Sequence, residues 1–474
     1  SSNPGIKDQV YSLNLPLLKD NDPAGLRTKV FLSFFSLEDF SNLRNFKINA
    51  DIRFRSTNMV SFDFNDKHML EFSRVPFSQL RALSISKLYG RSASLKNIRL
   101  TITNLTLAIC DFDDFYLLST DAPMLKCLHV IQFSRSAHFP NMNKSQCFLQ
   151  LKKLIIDDFI YILLNDFEIF LKFTPNLKQL KISANGKDLI NEARWKQLIT
   201  TSLPSLSTFQ FMFSCSRYKV KLSTMIQKLE EFQSDFWRKE HRWFTEYTIA
   251  DDSICIHTIP YAFKKYELKS NSERHHNDLK SNSGTFDNVT NLVLNCKIRK
   301  KKCEYYFSNV TSLKLDGYSN SLTVEQIGRL RRIFNPFHLK YLGLSRIRGM
   351  DSSLLLKLLE KMPQLSILSV WQDDLIKYIH DSKLCEQLKK MVKRLYVEGR
   401  EDYDLFKRDQ FYEVFRNIEH FQFEASGRED LFFSLSCLPK LSTLQAKWVA
   451  VDDPKWYIPR IQNELNKQNV IYDI

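Results

Sequence analysis

The sequence predicts an α/β protein that grows by stacking one strand-and-helix unit on the next, and three observations predict it. From Phe337 to Trp371 the chain reads FHLKYLGLSRIRGMDSSLLLKLLEKMPQLSILSVW, with Leu339, Leu342 and Leu344 in the spacing L-x-x-L-x-L. The spacing returns 26 residues later at Leu365, Leu368 and Val370. Between the two, Ser352 or Ser353 is placed to cap a helix whose Leu355, Leu358, Leu359 and Met362 share one face. In a short strand alternate side chains face inward, which buries the fourth and sixth positions and turns the third, fifth and seventh to solvent. One such unit cannot bury its apolar face alone, whereas a stack can.

The rest of the chain repeats the pattern. Val10, Leu13 and Leu15 fit it near the start; the helical segment GLRTKVFLSFFSLEDFSNLRNF then leads into Leu43, Phe46 and Ile48. DIRFRSTNMVSFDFN alternates apolar and polar residues around Ile52, Phe54, Phe62 and Phe64 and predicts a hairpin. Strands follow at Leu80-Leu83-Ile85, Ile102-Leu105-Leu107, Leu125-Leu128-Val130, Leu151-Leu154-Ile156, Leu177-Leu180-Ile182 and Leu206-Phe209-Phe211. Helices between them should turn Phe167, Phe170 and Leu171 inward, and then Leu189, Ile190, Ala193 and Leu198. The implied architecture is a leucine-rich-repeat solenoid with irregular repeats: a curved horseshoe, parallel strands on the concave face and helices on the convex one.

The period fails from about Phe213 to Asp287. An amphipathic helix with Met225, Ile226, Leu229, Phe232 and Phe236 on one side comes first, then SICIHTIPYAF, a strand interrupted at Pro260. KSNSERHHNDLKSNSGTFDN, nearly free of apolar residues, reads as an exposed loop. The repeat resumes at Val289-Leu292-Leu294, Val310-Leu313-Leu315, Leu339-Leu342-Leu344, Leu365-Leu368-Val370, Val392-Leu395-Val397, Ile418-Phe421-Phe423 and Leu441-Leu444-Ala446. Thr323 and Gln326 stand in capping-box spacing ahead of Ile327, Leu330 and Phe334. Asp453 and Pro454 start a last helix, and VIYDI is placed to cover the final repeat. This divides the chain into an N-terminal array, 1–211, an interruption, 212–288, and a C-terminal array with a capping helix, 289–474, joined as one continuous solenoid.

The ninth position of the general repeat is usually Asn or Cys, which satisfies backbone groups in the turn after the strand. Only Cys110 and Asn185 match, so the turns must be held another way, through backbone and helix-cap contacts.

Composition narrows the function. At 474 residues and 43% hydrophobic content the chain exceeds one compact core and suits a stacked one. No apolar run approaches a membrane span, and FIYILL at 159–164 is flanked by Asp157, Asp158 and Asp166. Nine cysteines, odd in number and without C-x-x-C, read as reduced thiols in the cytoplasm or nucleus. SSNPGIKDQV has no apolar signal core, and a chain opening on Ser rather than Met is expected to have had sequence upstream. The net charge of +15 favours acidic partners, although Lys and Arg coating the helices for solubility is the plainer account.

No catalytic constellation, and no metal or cofactor motif, is legible: there is no G-x-G-x-x-G, Walker loop, H-E-x-x-H or G-x-S-x-G. His275 and His276 read as a solvated pair, and Glu230, Glu231 and Glu240 as a helical acidic cluster. The run KIRKKK, with Lys297, Arg299, Lys300, Lys301 and Lys302, is either a solvated turn or a basic patch for import or phosphate binding. The stronger candidate is the outward strand face: Tyr341, Trp371, Tyr396, Glu398, His420, Gln422 and Glu424, with Lys153 and Lys181 in the first array. Aromatics beside charges on a rigid sheet suit protein binding. Trp371 stands out there, against the plainer reading that it packs on the adjacent loop.

The degenerate repeats of about 26 residues, the missing Asn ladder and the interruption FQSDFWRKEHRWFTEYTI…IHTIPY resemble the F-box/leucine-rich-repeat proteins, particularly the uncharacterised members expanded in bdelloid rotifers. Members carry an F-box ahead of the repeats that docks on the Skp adaptor of a cullin ubiquitin ligase. No segment here matches its L-P-x-E-x-L opening. The resemblance therefore implies the substrate-recognition part of such a receptor, with a protein ligand on the concave face and a Skp-type adaptor bound only through an upstream F-box. Nucleic acid on the basic surface is the alternative partner.

Overall fold

A computed structural model of the chain describes residues 12–15, 44–48, 51–54, 60–62, 70–72, 81–89, 102–134, 147–160, 163–269, 271–275, 284–295, 305–317, 324–347, 350–399, 409–425, 437–448 and 471–473. The chain divides into two compact units, residues 1–262 with 273–279, and residues 263–272 with 280–474. Each is an open array of leucine-rich repeats whose strands form one sheet that does not close on itself.

In the first unit, successive repeat strands pair in parallel with the pattern residues in register: Leu83 with Leu105, Leu105 with Leu128, Leu128 with Leu154, Leu154 with Leu180 and Leu180 with Phe209. Leu13 likewise faces Phe46, and Phe46 faces Leu83. The hairpin expected around Ile52 is present, with Ile52 opposite Phe62 in an antiparallel pair; Phe64 lies outside the described residues. In the second unit the same row runs Leu292, Leu313, Leu342, Leu368, Leu395, Phe421 and Leu444, and the final strand continues it in register, with Tyr472 paired to Leu444. The row starts one rung earlier than the leucines suggest. The strand Lys265–Leu268 sets Tyr266 beside Leu292, and Phe263, Tyr266 and Leu268 are the buried residues of an aromatic version of the repeat.

A recurrent hydrogen-bond device holds the rungs. In each repeat the second-position carbonyl accepts two N–H groups from the next rung, as Lys126 accepts from Lys152 and Lys153, and Lys340 accepts from Ser366 and Ile367. Side chains reinforce it. Ser207, Thr103 and Ser442 donate to the same carbonyl row, while Asn176, Asn309 and Asn417, each just before the first leucine position, donate to carbonyls of the preceding turn. The absent ninth-position ladder is thus replaced by one before the strand, where the turn's orphan carbonyls lie.

Among the described residues the helices lie where the periodicity puts them, with three local corrections; the helical segment expected from Gly25 lies, up to residue 43, outside the described residues. The helix Ser352–Leu359 buries Leu355, Leu358 and Leu359, but its cap is Asp351, whose carboxylate accepts from the Ser353 N–H at 2.7 Å. In Glu192–Ser202 the inward residue is Trp195, fully buried, whereas Ala193 is exposed. That follows from the start at Glu192: Leu189 and Ile190 belong to the preceding turn, so the apolar face begins at Trp195 and continues through Leu198 and Ile199. Thr323 and the segment from Asp453 to the last strand lie outside the described residues, while Ile327, Leu330 and Phe334 are buried as the spacing requires.

The third correction concerns the interruption. Trp237 is fully buried in a π-helical turn, Phe236–Glu240, and packs among Phe209, Phe211, Phe232 and Trp243. Its indole N–H donates to Glu192 at 2.9 Å. The strand Thr208–Ser216 then pairs antiparallel with Ser253–Thr258, which pairs with Thr245–Ile249, and that strand with Glu273–His275. Part of the polar segment read as an exposed loop is therefore the last strand of the first unit's sheet. Its polarity misled because Arg274 enters the interior to meet a carboxylate: the side chain is 3% exposed and holds fully buried Glu246 through two bonds, at 2.5 and 2.6 Å. His275 stacks on Tyr247 at 4.9 Å rather than standing in solvent; His276 lies outside the described residues.

Candidate functional site

In the second unit, the third, fifth and seventh positions of each rung lie on the sheet face opposite the buried leucines. The register makes rows of them. Tyr341, Ile367, Arg394 and His420 form one row, and Gly343, Ser369, Tyr396 and Gln422 the next. Trp371 faces Glu398, and Glu424 faces Lys447. Five of the residues singled out from sequence, Tyr341, Trp371, Tyr396, His420 and Gln422, are half-buried there, and Glu398 is exposed. Lys153, exposed, and Lys181, half-buried, occupy corresponding positions in the first unit. The KIRKKK residues lie outside the described residues.

Three residues not singled out from sequence shape this face. Gly343 leaves room for Tyr341 to lie across it: a Cβ there would meet the Tyr341 hydroxyl and Lys314 Cγ, both at 3.0 Å. Ser369, 1% exposed, donates to Glu398 Oε1 at 3.1 Å, and its hydroxyl neighbours that of Tyr341. Gly399 supports Trp371, since a Cβ there would meet the indole Cε3 at 3.2 Å. A glycine inside a strand pattern, as at Gly343, was the legible signal for such a close approach.

The electrostatics follow from this packing. Burial pushes the Tyr341 hydroxyl up, with Glu398 and Tyr396 acting in the same direction and the bond to Ser369 opposing. Tyr341 thus stays a neutral donor and acceptor. His420 is pushed down by burial and by Arg394, so its ring is neutral near pH 7; it sits 3.3 Å from the Thr443 hydroxyl. The Tyr341 and Tyr396 rings are 6.5 Å apart, centre to centre. The result is an aromatic patch with a buried hydroxyl, an acidic rim at Glu398 and a basic neighbour at Arg394. It can pack against an apolar side chain and fix a few hydrogen bonds. Among the described residues no group of three or more His, Cys, Asp or Glu is placed to hold a metal ion. Nor is any described helix long and apolar enough to cross a membrane.

No family model and no curated protein matches the chain. Among solved structures it is similar to a chain of a TLR13–ssRNA13 complex, at 15% identity and a TM-score of 0.29, covering 88% of this chain and 65% of that one. The chain therefore spans just under two thirds of that protein's length. It is also similar to a chain of the Rad7 and Elc1 complex in yeast, at 12% identity and a TM-score of 0.29, covering 74% of this chain and 77% of that one. The fold rests on the strand register described above rather than on these likenesses.

Proposed function

We propose that the chain is a non-catalytic scaffold that binds another protein on the open sheet face of its second unit. The observation that carries this reading is Tyr341, Tyr396 and Trp371 gathered on neighbouring rungs and held by Gly343, Ser369 and Gly399. Aromatic side chains already fixed in place bury area at small entropic cost when a partner arrives, which is what a binding hot spot needs. The test is affinity capture with Trp371→Ala and Tyr396→Ala. The reading requires loss of a specific partner that the unaltered chain retains, and retention of every such partner by both variants defeats it.

The finer reading is the substrate-recognition part of an F-box-type ubiquitin ligase receptor. It is supported by the resemblance of the repeats and of the Phe- and Trp-rich interruption to that group. It predicts that the chain with its natural upstream sequence co-purifies with a Skp-type adaptor and a cullin. Absence of both from the purified assembly would reject the ligase role and leave the binding face standing.

A further inference from the structure

We infer that the first unit carries a second interaction surface, a basic column along one edge of its sheet, and that its partner is an extended acidic peptide segment with interspersed aliphatic side chains. The register sets Cys127 beside Lys153 and Lys153 beside Gln179, which puts the preceding residues, Lys126, Lys152 and Lys178, on consecutive rungs. All three are exposed, and the doubled hydrogen bonds at their backbones lock them in line. Arg44 and Arg81 hold the same position on earlier rungs, separated from Lys126 by the neutral Thr103. At about 4.8 Å per rung, three like charges stand within roughly 10 Å.

The repeat does not demand this. In the second unit the same position runs Thr290, Thr311, Lys340, Ser366, Lys393 and Glu419, so no two basic residues stand on consecutive rungs there, and Lys393 pairs with Glu419 at 3.6 Å. No ion pair joins Lys126, Lys152 or Lys178 to a carboxylate among the described residues. Aligned, unneutralised ammonium groups repel one another, and an aligned polyanion relieves that repulsion.

Two neighbours decide what kind of polyanion. Met124 and Leu149, in the turns just before these strands, are 48% and 61% exposed. They offer aliphatic surface beside the charges, while the residues from Pro123 to Cys127, Leu149 to Lys153 and Pro175 to Gln179 include no aromatic ring on which a nucleic-acid base could stack. An acidic peptide supplies both carboxylates and aliphatic groups. Its same-side residues recur about every 7 Å, a mismatch the flexible lysine stems absorb.

The test is fluorescence anisotropy of the full chain with a labelled peptide alternating glutamate and leucine, alongside labelled oligo(dT) and phosphatidylserine–phosphatidylcholine vesicles. The triple variant Lys126→Glu/Lys152→Glu/Lys178→Glu is expected to weaken peptide binding at least about tenfold, because like-charge juxtaposition is strongly unfavourable. Lys300→Glu/Lys301→Glu/Lys302→Glu, with the same change in net charge, is expected to leave it unchanged, and Met124→Ser/Leu149→Ser to weaken the peptide but not oligo(dT). Should the charge reversal fail to fold, Lys126→Gln/Lys152→Gln/Lys178→Gln carries the test. Equal losses in the two charge-reversed triples, no peptide binding at low salt, or tighter binding of oligo(dT) or vesicles than of peptide would each overturn the inference. The variants leave Trp371 and Tyr396 in place, so this result is separable from that on the second unit's face.

Discussion

Gly399 sits under the indole of Trp371, at a backbone φ of +141° that side-chain-bearing residues rarely adopt. Trp371 ends one strand and Gly399 follows the last residue of the next, and the absent Cβ leaves the indole room it would otherwise lose. Gly399→Ala should therefore cost about 1–3 kcal/mol in backbone strain and also lift the ring. Urea denaturation measures the first effect and tryptophan emission of the folded variant the second. An unchanged midpoint would show that Gly399 is incidental.

Gly343 makes a parallel case without backbone strain. Gly343→Ala leaves the fold in place but sets a methyl against the Tyr341 hydroxyl and Lys314. The expected outcome is a displaced Tyr341 hydroxyl and a stability loss on the order of 1 kcal/mol, comparable to that of Tyr341→Phe. If the two losses add fully in the double variant, the glycine does not act through the tyrosine.

Much of this architecture was readable because leucine at fixed spacing has one cheap solution, burial against the same position of the next rung. Leu342, Leu368 and Leu395 do this, in register. The pattern is silent where other chemistry fills the same position. Phe263 and Tyr266 build a rung without aliphatic residues at those positions, and Arg274 is buried only because Glu246 waits across the strands. Tyr341 and Tyr396 could be placed on the open face from spacing alone. The roles of Gly343, Ser369 and Gly399 could not, because they depend on which way neighbouring rings lean.

The asparagines ahead of the strands are a test of how the turns are held. Asn309 Nδ2 donates to the Asp287 carbonyl at 2.8 Å, and Asn176 to the Leu149 carbonyl at 2.9 Å. Both sites are exposed, so water can replace part of each bond. Asn309→Ala and Asn176→Ala should each cost about 0.5–1.5 kcal/mol, and their effects should add, since they lie in different units. Hydrogen exchange should quicken at the adjoining turns first.

The ion pair between Glu246 and Arg274 is a harsher case. Removing one partner leaves a buried charge, so Glu246→Gln or Arg274→Met should each cost about 3–5 kcal/mol, while the pair of changes together should cost far less than their sum. Chemical denaturation of the two single variants and the double variant closes the cycle. Strict additivity would mean that the two charges are held independently.

His257 ties stability to pH. It is fully buried 3.8 Å from Glu246, with its Nδ1 3.3 Å from the Thr258 carbonyl and Arg274 paired with the same carboxylate. Burial pushes its pKa below the ordinary 6.5; Glu246 and the Thr258 carbonyl oppose this and Arg274 adds to it. The unfolded chain therefore binds the proton more readily than the folded one, so stability is whole above 6.5 and is lost as the pH falls below that value. His241 and His420 are shifted down as well and add to the same trend. The expected result is a denaturation midpoint that drops between pH 7 and about pH 5. In His257→Gln the drop should be smaller but not absent. A variant with the full pH dependence of the unaltered chain would show that His257 is not the group being titrated.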